Sequence, residues 1–283
     1  MAKARTEMMN RLYEITDCLL REMVNEIQIE LDKYLKPKVC DKLNGIYEQA
    51  LSSLCNRRGM DKVIKFNRIH RKNSEYELRH EQIEEILFEF DPKEVIKNYG
   101  RRLESQSLID AFNAKLNLNT KIDLKNERSM WVIFSKGAIS IANFLADFQD
   151  KTEFDLFVND FQRSKYSREA LPMLLSKEIF GFGFALACDF LKEAGYESYP
   201  KPDRHLIDVF AESGLCEKNE YEVFKTILEV AAAVGKTPYE VDKKIWLVCT
   251  GAFYLDSKKV KDKKKKLLQL IRNTRDALQL NII

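Results

Sequence analysis

Glycine and proline are scarce in this chain of 283 residues, with only ten and six. Both gather at a few breaks, which leaves long stretches with nothing to interrupt a helix. The six cysteines, at 18, 40, 55, 188, 216 and 249, form no C-x-x-C pair and no paired Cys/His spacing. That scatter gives neither a zinc site nor a four-cysteine iron–sulfur cluster, and it reads as reduced thiols in a cytosolic protein. No uncharged apolar run approaches the ~20 residues that a membrane span needs. The opening MAKARTEMMNRLYEITD is charged from the start, unlike a signal peptide. A cytoplasmic protein with no membrane partner is expected. Charge of one sign is also lacking: 47 Lys and Arg against 44 Asp and Glu leave +3. Net charge therefore names no polyanionic partner, and only the local clustering of bases can. No repeat of fixed period is present, and nothing in the sequence sets an oligomeric state.

What the chain does have is apolar residues, 45% of the total, and aromatics, 11%. That is enough to bury a sizeable core. They recur at three- and four-residue spacing: Ile15, Leu19, Met23, Ile27 and Leu31 form one stripe that stops before Lys36-Pro37. The same periodicity predicts helices over about 39–55, 75–90 and 131–148. It continues over 153–161, 168–179, 184–194, 203–212, 221–234 and 238–254. Asp91-Pro92 with Glu94, and Thr237-Pro238 with Glu240, carry the cap, first-turn proline and glutamate of a helix start. The polar, Asn-rich stretch 108–126 reads as a loop or junction, and 121–124 is too short to argue for a strand. The fold is expected to be all-α. Three regions follow: 1–105 helical and of unknown role, 126–255 the core, and 256–283 a basic helix or tail.

Two glycines around one apolar residue, Gly181-Phe182-Gly183, separate two helical stretches. Such a turn permits unusual backbone angles and bares N–H groups at a helix start, where anions bind. Alone it better describes an ordinary connection between antiparallel helices. Downstream, Ala187 and Phe190-Leu191 lead to a glycine stop at Gly195, and a short loop ends in Pro202-Asp203-Arg204-His205. In that order the segment resembles the helix-hairpin-helix DNA glycosylases, best of all the 8-oxoguanine-removing branches. The resemblance covers about a third of the chain, roughly 165–255.

The resemblance implies a helix-hairpin-helix core and DNA as partner, with no metal or cofactor. The hairpin at Gly181, Phe182 and Gly183 would hold phosphates through main-chain N–H groups, giving position without sequence. Lys177, Lys201, Arg204 and His205 flank it as further DNA contacts. A damaged base must be flipped out of the duplex to be reached. Cleaving its N-glycosidic bond builds positive charge on the sugar, which the Asp203 carboxylate would stabilise. Asp203 also suits a plain helix cap, and the two roles are compatible. Trp246, Phe253 and Tyr254 are candidates to wall the flipped base, with core packing as the other reading. Bifunctional members place a nucleophilic lysine two residues after the second hairpin glycine, where this chain has Ala185. A monofunctional glycosylase is implied; a helix-hairpin-helix protein that binds DNA or a nucleotide without cutting it is the alternative. The lysines of 258–266 form the sharpest basic run and suit either a phosphate-binding stripe or a solvated face. Arg57-Arg58 and Arg101-Arg102 are weaker basic hints, and His70 and His80 read as surface polarity.

Overall fold

The computed structural model describes residues 2–67 and 73–280, and His70 lies outside them. Over the described residues the protein is all-α apart from one two-stranded hairpin. The helices are α1 (Ala2–Ile27), α2 (Leu43–Cys55), α3 (Met60–Ile64), α4 (Ser74–Ile86), α5 (Pro92–Tyr99), α6 (Gln106–Lys115) and α7 (Met130–Ala146). Then follow α8 (Lys151–Phe161), α9 (Lys165–Glu178), α10 (Phe184–Glu193), α11 (Arg204–Glu212), α12 (Glu220–Val234), α13 (Pro238–Thr250) and α14 (Lys264–Ala277). Strands β1 (Ala252–Phe253) and β2 (Lys258–Lys259) pair antiparallel before α14. Among the described residues no helix is long and apolar enough to cross a membrane.

The chain forms two compact units, Met1–Lys38 with Gly195–Ile283, and Val39–Ala194. These do not follow the expected sequential division 1–105, 126–255 and 256–283. In the first unit the reason is α1. Its apolar stripe (Met8, Leu12, Leu19, Leu20 and Met23, none more than 1% exposed) belongs to one core with Val209, Phe210, Ile227, Val248 and Leu267. An amphipathic helix packs where its apolar stripe is covered, whatever its distance in sequence. In the second unit α7 packs against α2 and α5, and α10 against α2 and α9.

Three local expectations need correction. The stretch 108–126 is not all loop, because α6 occupies Gln106–Lys115. Ser105 caps it by accepting the N–H of Leu108, and Leu108, Ile109 and Phe112 are buried. The helix expected over 238–254 stops at Thr250. Gly251 takes a left-handed φ of +64°, and its carbonyl then accepts the N–H of Val260 as the chain turns into β1. His80 is not surface polarity: it is 6% exposed, stacked on Phe66 at 4.9 Å, with Nε2 3.2 Å from Glu48.

Candidate functional site

The hairpin belongs to the second unit and Asp203 to the first. In the hairpin, α9 ends at Glu178, and the N–H of Phe180 is taken by Ser140 Oγ at 2.8 Å. Phe182 N–H then closes back on the Ile179 carbonyl at 3.2 Å. The two glycines do different work. Gly181 has φ +88°, a conformation that costs an L-residue about 1–2 kcal/mol, and a Cβ there would come 2.9 Å from Leu54 Cδ1. Gly183 is extended (φ −109°, ψ 177°), caps α10 with its backbone alone, and a Cβ on it would meet nothing within 4 Å. Only Gly181 needs the freedom of glycine, whereas the sequence suggested unusual angles for both.

The Phe182 side chain is buried and packs on Phe190 at 6.0 Å, so any contact it makes with a partner is through its backbone. Phe180 is the exposed aromatic of the turn, with Lys136 Nζ 5.9 Å from its ring centre. Arg57 Nη1 donates to the Gly181 carbonyl at 3.4 Å, and Asn56 Nδ2 donates to Asp189 Oδ2 at 2.7 Å. The turn after α2 is thereby tied to the hairpin turn and to α10. Lys177 is exposed on the last turn of α9, and Ala185 is half-buried in the first turn of α10.

Asp203 stands at the N-cap of α11, where Oδ1 accepts the N–H groups of His205 at 2.7 Å and Leu206 at 3.1 Å. Those two bonds fix the carboxylate's orientation. Oδ2 accepts no hydrogen bond among the described residues, and the side chain is only half-buried. Arg204 is exposed beside it. His205 is half-buried, and its Nδ1 lies 3.3 Å from Lys264 Nζ. The ammonium can only donate, so Nδ1 accepts and the ring proton is assigned to Nε2. Burial holds the imidazolium below its usual range, and the Lys264 and Arg204 charges push the same way. Cys249 lies near Asp203, and burial pushes its thiol up to about 12, the Lys264 charge opposing the shift and the carboxylate adding to it.

The three aromatic candidates separate. Phe253 is wholly buried, edge-on to Tyr34 at 5.7 Å: a core residue with no face open to a base. Trp246 and Tyr254 are half-buried and meet edge to face at 6.0 Å. Both look onto Lys243 Nζ, 5.8 and 5.4 Å from their ring centres, with Tyr239 a third ring at 5.3 Å. Tyr254 also accepts a hydrogen bond from that ammonium at 3.1 Å. Apolar periodicity gave no sign of this, because it says nothing of where the charged Asp242, Lys243 and Lys244 lie. All three are at least 95% buried. Lys244 is held by Asp17 (2.6 Å), Tyr13 (2.6 Å) and Glu240 (2.9 Å), which keep its ammonium charged far above the usual lysine range despite burial. The sequence signal that could have found it is the i, i+4 pair Glu240–Lys244.

The basic run is partly neutralised within the first unit. Lys263 and Lys266 both bind Glu22, Lys264 binds Asp208, and Lys258 binds the Ile27 carbonyl. Lys259, Lys261 and Lys265 are exposed and have no ion-pair partner among the described residues. No group of three or more His, Cys, Asp or Glu among those residues is placed to hold a metal ion. The chain matches no family model, no curated protein and no solved structure.

Proposed function

We propose that this protein is a helix-hairpin-helix DNA glycosylase of the monofunctional kind, hydrolysing the N-glycosidic bond of a flipped damaged or modified base. The observation that carries the reading is Asp203. A carboxylate with one oxygen pinned by two N–H groups and the other without a partner among the described residues has a fixed direction and an unused face. That is what a sugar developing oxocarbenium charge requires, and the same oxygen can orient the attacking water. The tight turn at Gly181 and the open backbone at Gly183 support the phosphate-holding role, since phosphate approaches main-chain N–H groups closely only where no Cβ intervenes. Trp246 and Tyr254 remain the aromatic candidates for the base, with Lys243 as the cation between them.

The decisive experiment screens duplexes that carry single lesions, 8-oxoguanine first, for base release. The wild type should leave an intact abasic strand. Asp203→Asn should keep fold and DNA affinity while base release falls by about two orders of magnitude or more. Borohydride should trap no covalent adduct, because Ala185 offers no amine where the family's lyases carry one. Full activity of Asp203→Asn ends the catalytic assignment. Tight duplex binding without release of any base favours the non-cleaving alternative.

A further inference from the structure

Asp203 is only as well placed as the segment before it, and that segment is short of hydrogen-bond donors. Pro200 and Pro202 have no N–H, so Lys201 supplies the one backbone donor across 200–202. Its N–H is taken by Asp242 Oδ2 at 2.5 Å. The Lys201 carbonyl in turn accepts the N–H of Asp203 at 2.8 Å. Asp203 Oδ1 then accepts His205 and Leu206. The three links run without a gap from one carboxylate to the other.

Asp242 is well founded for such a role. It is 1% exposed on α13, between Val241 and Ile245, each 1% exposed and part of the unit's core. A second tie joins the same elements, from Tyr239 N–H to the Glu197 carbonyl at 3.1 Å. A buried carboxylate without charge-assisted hydrogen bonds would be costly. A neutral side chain would pack a helix against a loop at less cost. We infer that Asp242 is the positioning residue of the site: it holds the Pro200-Lys201-Pro202 segment so that Asp203 enters α11 with its carboxylate in register. The inference rests on the glycosylase reading for its purpose, but not for its test.

The test is amide hydrogen exchange, measured by NMR on the full chain. Asp242→Ala should speed exchange at Lys201 about tenfold or more, the scale of removing one hydrogen bond to a charged group. Exchange at His205 and Leu206 should rise with it, while amides of α2 and α7 keep their rates. Asp242→Asn keeps an acceptor and should restore most of the protection. Lys201→Pro deletes the donor, leaves Asp242 in place, and should loosen the same two cap amides even if the alanine variant does not fold. Unchanged rates at His205 and Leu206 in either deletion, with Lys201 exchange raised or its N–H removed, would overturn the inference. So would an unchanged Lys201 rate in Asp242→Ala. On a lesion duplex, the alanine variant should lose kcat with little change in KM. A wild type that releases no base would end the glycosylase reading and leave the amide result to decide the role of Asp242.

Discussion

At the scale of the residue, Asp203 and His205 stand two positions apart at the start of α11 and are held by different kinds of contact. Asp203 follows a proline and precedes an apolar-periodic run, and its cap geometry is as those neighbours require. His205, two positions on, could not be placed from the sequence, because Lys264 and Asp208 decide its surroundings and Lys264 is 59 residues away. Its titration has a definite sign. Burial lowers the folded-state value beneath the usual 6.5, so below that pH the unfolded chain takes up a proton that the native site resists. Native stability should therefore rise with pH through the window below 6.5, and the penalty should be gone above it. Urea midpoints taken between about pH 5 and about pH 7 should climb less steeply in His205→Gln than in the wild type. Parallel profiles would show that His205 does not contribute to the acid side of the curve.

At the scale of the element, the two hairpin glycines make opposite predictions. Gly181→Ala must hold a positive φ and push on Leu54, so it should cost about 1–2 kcal/mol and lower the thermal midpoint. Gly183→Ala has room and an ordinary backbone, and alanine is a poorer cap by only a few tenths of a kcal/mol to ~1 kcal/mol. It should stay near wild-type stability and yet, on the proposed reading, weaken DNA binding, because the new methyl would project where that reading places a phosphate. Calorimetry and a binding titration separate the two effects, and equal DNA affinity in Gly183→Ala would remove the hairpin backbone from the interface. The basic run divides in the same way. Changing Lys259, Lys261 and Lys265 to Gln should reduce the log–log salt slope of DNA binding by about 0.9 for each phosphate that is no longer neutralised. Changing Lys263 and Lys266, which already neutralise Glu22, should alter it less. A slope unmoved by the first triple change would remove these lysines from the proposed DNA interface.

At the scale of the whole molecule, the N-terminal helix is a structural part of the unit that carries Asp203. Met8, Leu12, Leu19, Leu20 and Met23 of α1 are all but wholly buried there, and each such side chain contributes about 1.5–3 kcal/mol. Their sum is on the order of 10 kcal/mol, as large as the net stability of an ordinary domain. Deleting residues 1–38 should therefore unfold that unit, seen as loss of the slow-exchanging amides of α12 and α13. A truncated chain that kept those amides protected would show that α1 is an accessory. From sequence, the spacing of Ile15, Leu19, Met23 and Ile27 predicted a helix and the face on which Leu19 and Met23 are buried, whereas Leu31, the last of that stripe, lies beyond the end of α1. What covers that face emerged from packing alone, because periodicity carries direction around a helix axis and no address for the partner. The same limit applies at the site. The cap at Asp203 and the glycine turn are local facts, set by chain spacing and backbone angles, and both are legible in the sequence. Asp242 beneath Lys201, Lys243 among three rings, and Phe253 closed into the core depend on residues that meet only after folding. Burial and pairing of a charge are properties of that meeting, which no stretch of sequence contains.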